Sequence, residues 1–296
     1  MRVGCLGEVM LELVPGAGDA ATLDVAGDTF NTAVYMARIL GAGHVDFITV
    51  LGSDGFSARI RTRMTAHGIG ADRVLYHPDR IPGLYAIETD DAGERRFTYW
   101  RSASAARDLF APAFVPDLSG LSHLFYSGVS LAILSPAARE ALFQAIVVFR
   151  AQGGIVAFDS NYRPRLWESV AAARSTTEMA WQLCDIALPS VDDEIALFGD
   201  RDDAAVRVRF ARYGVGCGAL KRGAAGPVGL GTGASYVPET PVQVVDSTAA
   251  GDSFNAAFLA TILTGHTESE ALVAGHRLAA QVVQHAGAII KVGDMA

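Results

Sequence analysis

Lysine is scarce in this 296-residue chain, and the scarcity narrows the classes of protein that it can be. Lysine occurs only at positions 221 and 291, and the excess of acidic residues gives a formal net charge of -8. Binding to nucleic acid or to an anionic membrane depends on clustered basic residues. We therefore expect no nucleic-acid partner and no membrane partner, and we favour a small-molecule substrate.

Cysteine and long apolar runs are also lacking. Cys5, Cys184 and Cys217 lie far apart and form no C-x-x-C pair, so the sequence predicts reduced thiols and not a disulfide framework or a metal site. No apolar run approaches the roughly 18 residues that a membrane-spanning helix needs, and the first residues do not resemble a cleaved leader. We expect a cytoplasmic protein.

Short apolar runs alternate with longer segments of helical period, a pattern typical of a parallel sheet covered by helices. The predicted strands are Val3–Leu6, Asp46–Val50, His123–Ser127, Val156–Asp159, Ile186–Leu188 and Gly218–Lys221. The main predicted helices are Thr29–Leu40, Ser135–Ala151, Thr176–Leu183 and Ser253–Leu263. The sequence thus predicts a single α/β domain over residues 1–296, built as a three-layer α/β/α sandwich with a mainly parallel central sheet.

Two segments, at about 8–27 and 84–101, alternate polar and apolar residues in the manner of antiparallel strands. In the second, Asp90-Asp91-Ala92-Gly93 is a strong hairpin turn signal. A period of two places Tyr85, Ile87 and Thr89 on one face of the first strand, and Phe97, Tyr99 and Arg101 on one face of the second. We expect a small sheet that forms a lid over the main domain; a plain sheet edge with core-covering aromatics is the alternative.

The segment DSTAAGDSFNAAFLA, residues 246–260, is the sharpest local signal of chemistry. Its small residues lead into Gly251-Asp252 and then a helix, so consecutive backbone N–H groups and the positive end of the helix dipole could hold phosphate oxygens. Asp252 at the mouth of such an anion hole is either the cap of the helix or a base that accepts a proton from an attacking hydroxyl.

Several other catalytic motifs are missing. There is no G-x-x-x-x-G-K-[ST] loop, because neither lysine follows a glycine, and Gly4-Cys5-Leu6-Gly7 does not match the G-x-G-x-x-G dinucleotide pattern. H-E-x-x-H and G-x-S-x-G are absent as well. These absences disfavour P-loop ATPases, zinc proteases, ordinary dehydrogenases and α/β-hydrolases.

Motifs along nearly the whole chain resemble those of the ribokinase-like (PfkB) carbohydrate kinases. They include GEVMLEL, AGDTFNTAVYMARILG, LGSDGFS, SGVSLAIL, FDSNYRPRLW, KRGAAG and DSTAAGDSF, in that order. The segments GDTFNTA, GLYAIETD, ERRFTYWR and NYRPRLW are similar to those of kinases that act on 2-keto-3-deoxygluconate. The resemblance implies a ribokinase-like fold and ATP-dependent phosphorylation of the terminal, sixth-carbon hydroxyl of this sugar acid.

The resemblance also implies catalytic roles. Asp252 would be the general base, and the N–H groups of Ala249, Ala250 and Gly251 would hold the transferring phosphoryl oxygens. Arg163 would bridge the sugar and the phosphate. The sequence departs from the family at Ala249, where a glycine is usual; a small residue serves there if its backbone dihedrals are ordinary.

For the sugar acid, the resemblance assigns Arg101 to the carboxylate, because a guanidinium can donate two parallel hydrogen bonds to it. Tyr85 and Tyr99 would bind the ketone and hydroxyls from the lid. The chain hydroxyls would meet Gly27, Asp28 and Asn31. A solvated surface arginine is the alternative interpretation of Arg101.

For the nucleotide, the resemblance points to ATP at Asn161, Ser190, Ala249, Gly251 and the turn Lys221-Arg222-Gly223-Ala224-Ala225-Gly226, with His276 towards the adenine. A capping loop at Asn161 and Arg163, a turn without a binding role and a structural histidine are the alternatives. Magnesium is expected, with Asp193 or Glu194 acting through water because the family's N-x-x-E motif appears only as Ser190-Val191-Asp192-Asp193. A monovalent cation could assist.

Two other functions stay open. One is a ribokinase-like kinase of fructose, ribose or a nucleoside, which would not need Arg101. The other is a sugar-binding regulator without catalysis, which would have no use for a base at Asp252. Lids of this kind in the family often pair between subunits, so a homo-oligomer through the lid is also expected.

Overall fold

The secondary structure follows the predicted alternation of strands and helices. The computed structural model describes residues 1–16, 18–89, 95–238 and 241–295. The strands in these ranges are β1 (Val3–Leu6), β2 (Met10–Pro15), β3 (Ala21–Ala26), β4 (Val45–Leu51), β5 (Val74–Tyr76), β6 (Leu84–Thr89), β7 (Arg95–Trp100), β8 (His123–Ser127), β9 (Ile155–Asp159), β10 (Ile186–Ala187), β11 (Cys217–Leu220) and β12 (Val228–Gly229).

The helices of the described residues cover the sheet on both faces. They are α1 (Asp28–Leu40), α2 (Gly55–Ala66), α3 (Gly128–Ile133), α4 (Pro136–Ala151), α5 (Val170–Leu183), α6 (Val191–Phe198), α7 (Asp203–Tyr213), α8 (Ala250–Leu263) and α9 (Glu268–Val282). Helix α5 begins six residues before the predicted start because the Ser169 side chain accepts a hydrogen bond from the Ala172 N–H and caps it there. None of these helices is long and apolar enough to cross a membrane.

Eight strands of the described residues form the larger sheet, in the order β12-β11-β10-β9-β8-β1-β4-β5. All neighbouring pairs are parallel except β11 and β12. One apolar layer, on the side of α1 and α8, contains Phe30, Phe47 and Phe258. The opposite layer contains Phe158 and Trp181. The predicted α/β/α sandwich is confirmed.

A second sheet has the order β3-β2-β6-β7. Strands β6 and β7 are antiparallel, and Tyr85 lies directly opposite Tyr99. Directly opposite residues project from the same face of a sheet, so these two phenols share a face as the alternation predicts. The turn predicted at residues 90–93 lies outside the described residues, as does the side chain of Thr89.

Candidate active site

The polar residues of the candidate site meet where the parallel strands of the larger sheet end. Strand β9 ends at Asp159, and Lys221 directly follows β11. Helix α8 begins beside them, since Asn255 in this helix contacts both residues. Carboxyl ends of parallel strands are the usual ligand-binding edge of an open α/β sheet. We call this region the strand-end cleft.

Three of the nine described helices begin without a side-chain cap. They are α1, α6 and α8, whose N-cap residues are Gly27, Ser190 and Ala249. The other six are capped by a serine, threonine or aspartate side chain. Uncapped helix starts leave backbone N–H groups available to a ligand, and all three N-cap residues belong to the predicted site.

Asp252 lies in the first turn of α8 and is held by α1. The Asn31 side-chain amide donates to its carboxylate at 2.8 Å, and the helix is capped by Ala249, so Asp252 is not the cap. Burial raises the pKa of Asp252 to about 8, and the negative charges of Asp28 and Asp159 act in the same direction. The Asn31 hydrogen bond and the charge of Lys221 oppose this rise. A carboxylate with such a pKa is suited to accept a proton near neutral pH.

The first turn of α8 provides donors for an anion. The Ala250 N–H points to the carbonyl of Ser247 at 3.2 Å. Within the described residues, the N–H groups of Ala249, Gly251 and Asp252 have no hydrogen-bond partner. Ala249 has φ 62° and ψ 15°, a left-handed conformation that costs about 1–2 kcal/mol for a residue with a β-carbon. The ordinary dihedrals that sequence analysis required at this position are therefore not found.

A buried network lies beneath this turn, and sequence analysis missed two of its three members. The Lys221 ammonium donates to Asp159 at 2.8 Å and to Asn255 at 3.0 Å, and the Asn255 amide donates to Asp159 at 2.7 Å. Lys221 Nζ is 3.7 Å from where a β-carbon on Gly251 would lie. The sequence offered only two weak signals of this network, namely the position of Asp159 at the end of a predicted strand and the rarity of lysine.

Asp28 and Asn161 are brought together near Asp252. One carboxylate oxygen of Asp28 accepts from the Ser127 hydroxyl at 2.5 Å and from the Asn161 amide at 2.8 Å. Asn161 has φ 31°, a strained conformation of the kind that clusters at binding sites. Gly27, which precedes Asp28, packs against the Glu8 carbonyl so closely that a β-carbon would collide with it.

Arg163 and Asp193 lie at the open side of the cleft, whereas Glu194 faces away from it. Arg163 is more than half exposed, and its guanidinium is 3.8 Å from Asp193. Burial raises the pKa of Asp193, and the charge of Asp159 adds to the effect. Glu194 is buried and pairs with Arg209 at 2.8 Å. The two metal candidates are therefore not equivalent, and only Asp193 lies within electrostatic reach of the cleft.

The face of the small sheet that carries Tyr85 and Tyr99 looks onto the strand-end cleft. The two rings are 5.7 Å apart, and the Tyr85 hydroxyl donates to Glu12. Burial raises the pKa of Tyr85, and the charges of Glu12 and Asp252 contribute. Burial also raises the pKa of Tyr99, against the charges of Arg101 and Arg163. Both phenols thus lie within electrostatic reach of groups in the cleft.

Arg101 follows β7 and is paired with an acid that sequence analysis did not assign to the site. Its guanidinium forms a buried ion pair with Glu8, and it lies over the Tyr99 ring, 5.8 Å from the ring centroid. Only 10% of the Arg101 side chain is exposed. The arrangement differs from that of a solvated surface arginine.

The residues predicted for the nucleotide are spread over a wider surface. Arg222 holds its own turn together, because it donates to the Gly226 carbonyl at 2.9 Å and to Asp203 at 2.8 Å. Gly223 and Gly226 in this turn both have positive φ. The backbone of Ser190 pairs with that of Lys221 in an isolated parallel β-bridge. His276 instead packs on Tyr236, with ring centroids 5.3 Å apart, so its described contacts are not with the residues around Asp252.

Comparison with known proteins places this geometry in a family. Residues 3–294 match the pfkB family carbohydrate kinases. The chain is 39% identical over 300 residues to 2-dehydro-3-deoxygluconokinase of Escherichia coli (strain K12), covering 98% of this chain and 97% of that protein. The chain is 38% identical to 2-dehydro-3-deoxygluconokinase of Dickeya dadantii (strain 3937), covering 99% of this chain and 98% of that protein.

Solved structures show the same fold. A PfkB protein from Polaromonas sp. JS666 superposes with a TM-score of 0.84 at 27% identity, covering 96% of both chains. A fructokinase from Vibrio cholerae O395, solved in a fructose-, ADP- and calcium-bound form, has a TM-score of 0.84 at 22% identity, covering 97% of this chain and 94% of that one. The chain belongs to the pfkB family of carbohydrate kinases.

Proposed function

We propose that this kinase transfers the γ-phosphoryl group of ATP to the sixth-carbon hydroxyl of 2-keto-3-deoxygluconate. The proposal rests on the position of Asp252, a carboxylate of raised pKa beside three N–H groups at the start of α8 that have no hydrogen-bond partner among the described residues. 2-Keto-3-deoxygluconate is the same compound as the 2-dehydro-3-deoxygluconate in the names of the relatives from Escherichia coli and Dickeya dadantii.

In the proposed reaction, the substrate hydroxyl oxygen attacks the γ-phosphorus while the bond to the β-phosphate oxygen breaks. Asp252 accepts the hydroxyl proton, and ADP leaves with the bonding electron pair. The N–H groups of Ala249, Gly251 and Asp252 stabilise the charge on the transferring group, because donors fixed before the reaction need no reorganisation during it. The N–H of Ala250, which sequence analysis had included, is engaged with Ser247 and contributes less. Arg163 reaches the same group from the open side.

The sugar acid would lie between the cleft and the small sheet, which we propose acts as a lid. Arg101 binds its carboxylate, and Tyr85 and Tyr99 contact the ketone and hydroxyls. Gly27, Asp28 and Asn31 bind the chain hydroxyls, with Gly27 supplying backbone at a place where no side chain fits. Asn161 assists on this side, since it already donates to Asp28.

ATP fits the remaining donors of the cleft. Its phosphates would approach the start of α8, and its ribose and adenine would follow the turn at residues 221–226 towards the surface. The candidates that contact it are Asn161, Ser190, Lys221, Arg222, Gly223, Gly226, Ala249, Gly251 and His276. Arg222 takes part by holding the turn, and His276, which packs on Tyr236, would face the adenine.

Magnesium would accompany ATP. The described residues contain no group of three or more His, Cys, Asp or Glu side chains that could hold a metal ion. Magnesium commonly keeps several waters and binds substrate phosphates with one or two carboxylates, which fits Asp193 better than Glu194. When bound, the ion would neutralise phosphate charge. A monovalent cation remains part of the proposal.

We also propose that the small sheet pairs with a second copy of the chain. Strand β7 lies at the edge of the sheet, and Phe97 and Trp100 on it are 39% and 58% exposed. An exposed edge with large apolar side chains is suited to association. Light scattering at micromolar concentration tests this, and a monomer mass would contradict it.

A second candidate function is phosphorylation of a neutral sugar such as fructose. The pairing of Arg101 favours this second function, because Glu8 already neutralises the guanidinium and a neutral sugar needs no carboxylate anchor. The two functions differ in the effect of replacing Arg101, which would be large for a sugar acid and small for fructose.

The test is ADP release with magnesium and ATP, using 2-keto-3-deoxygluconate, fructose, ribose and gluconate under the same conditions. We expect a strong preference for the keto-deoxy acid. A preference for fructose or ribose would contradict the proposed substrate while leaving the kinase chemistry intact. Absence of ADP release with all four would favour a sugar-binding regulator.

A further inference from the structure

The loop between β1 and β2 places a buried acid at the joint between the larger sheet and the small sheet. This acid is Glu8, whose side chain is 1% exposed. Apart from the ion pair with Arg101, neither Glu8 carboxylate oxygen has a partner among the described residues. A buried carboxylate without other donors is costly unless a fixed cation compensates it.

The surroundings are shaped to hold this pair. A β-carbon on Gly83 would lie 3.0 Å from a Glu8 carboxylate oxygen and 3.1 Å from the Arg101 β-carbon, so glycine leaves the room that the pair occupies. The backbone of Glu8 packs against Gly27, next to the residues that hold Asp252. Glu8 thus connects the carboxylate anchor to the catalytic cleft.

The pair leaves Arg101 capacity for a second carboxylate. A guanidinium has five N–H donors, and the Arg101 Nε is buried without an acceptor among the described residues. Glu8 and the Tyr99 ring fix the orientation of the side chain. An arginine that is already ordered loses less rotamer entropy when it binds a ligand.

We propose that Glu8 is a positioning residue that determines specificity for a sugar acid. Glu8 holds the Arg101 guanidinium in the orientation that meets the substrate carboxylate. This inference rests on the proposed function, because it gives Arg101 a carboxylate to bind. Glu8 itself does not touch the reacting atoms.

The experiment is a double-mutant cycle with Glu8→Gln, Arg101→Ala and the double variant, with KM and kcat measured for 2-keto-3-deoxygluconate and for fructose. Glu8→Gln should raise the KM for the acid roughly tenfold or more, the effect of about 1.4 kcal/mol, and should change kcat less than threefold. The same substitution should have almost no further effect when Arg101 is already alanine, because the two residues act as a unit. Any residual turnover of fructose should be unaffected.

Two further variants keep the test informative if Glu8→Gln folds poorly. Gly83→Ala keeps the charges of Glu8 and Arg101, but its methyl group would crowd the ion pair between them. It should therefore also raise the KM for 2-keto-3-deoxygluconate. Glu88→Gln removes an exposed carboxylate from β6 and should leave KM unchanged.

Equal effects of Glu8→Gln in the presence and absence of Arg101, or an unchanged KM in both Glu8→Gln and Gly83→Ala, would overturn the inference. If the unmodified protein itself shows no preference for the acid over fructose, the proposed function fails instead, so the two failures are distinguishable.

Discussion

The strand-end cleft and the small sheet hold their functional residues in different ways. In the cleft, Lys221, Asp159 and Asn255 contact one another at 2.7–3.0 Å, and Asp159 and Asn255 are buried. On the small sheet, Tyr99 is 50% exposed and Trp100 is 58% exposed. The buried network of the cleft is thus held in place by its own contacts, whereas Arg163 at the open side of the cleft is more than half exposed. Tyr85 and Arg101 are instead held in place, because Tyr85 is buried and donates to Glu12, and Arg101 is 10% exposed and pairs with Glu8.

This difference has a physical reason. Phosphoryl transfer depends on charges held in place, because reorganising them during the reaction would raise the barrier. Acceptor recognition depends on excluding water and matching hydroxyl groups, and the proposed lid would serve this by closing over the substrate. Substitutions in the cleft should therefore alter turnover or stability, and substitutions on the small sheet should alter KM.

The largest expected effect concerns Asp252. Asp252→Asn should lower kcat by about 10²–10⁴-fold, the contribution typical of a general base, because the amide cannot accept the hydroxyl proton. Binding of the sugar acid, measured by calorimetry, should remain within a few fold of the unmodified protein. Near-normal turnover would remove the assignment of Asp252 as base.

The next largest effect is expected when the buried ammonium of Lys221 is removed, and this effect should be on stability. Lys221→Met should lower the free energy of unfolding in urea by about 3–5 kcal/mol, because Asp159 would be left as an uncompensated buried charge. The matched control is the double variant Lys221→Met with Asp159→Asn, which should recover most of the loss. A single variant as stable as the unmodified protein would show that the network does not organise the cleft.

The raised pKa of Asp252 predicts a pH-dependent stability effect of intermediate size. The folded value is about 8 and the ordinary value is 3.8, so between these pH values the folded state holds a proton that the unfolded state has lost. Stability from this group is fully present below about pH 4 and is lost as pH rises through about 8. Asp252→Asn should therefore gain stability relative to the unmodified protein as the pH rises, with the largest gain at pH 9.

Urea unfolding of both proteins at pH 5, 7 and 9 measures this difference. The gain should grow with pH and level off above about pH 8. A difference that is constant across the three pH values would contradict the raised pKa.

A smaller effect is expected on the small sheet. Tyr99→Phe removes one hydroxyl and should raise the KM for the sugar acid by up to about tenfold, the equivalent of one hydrogen bond, with kcat within twofold. Thermal unfolding should not change, since the ring stays in place. A fall in kcat without a change in KM would mean that the small sheet takes part in the chemical step, and the contrast between the two regions would no longer hold.

The smallest effect concerns the backbone at the start of α8. Ala249→Gly relieves the left-handed strain but adds freedom to the unfolded chain, so the net gain in stability should be about 0.5–1 kcal/mol. Urea unfolding measures the gain, and kcat serves as the control because the N–H groups of the turn are retained. A loss of stability would contradict the left-handed assignment.

Much of the fold could be predicted from the sequence. Strands β1 and β8 have the predicted bounds, and α1 and α4 begin within one residue of them, because apolar periodicity is a local property that tertiary contacts reinforce. The turn into α8 could also be predicted, since small residues followed by Gly251-Asp252 and an apolar helix occur in one short segment. The shared face of Tyr85 and Tyr99 followed from strand alternation, whereas their direct pairing is seen only in the structure.

Only the tertiary structure decided which charges meet. Asp159 and Lys221 are 62 residues apart in the chain, and Lys221 and Asn255 are 34 apart, so no spacing rule connects them. The pair of Glu8 and Arg101 joins two sheets, and the pKa of Asp252 depends on burial and on Asp28 in another helix. Periodicity encodes which face of an element is apolar, but electrostatic energies depend on distance and burial, and these exist only after the elements have packed.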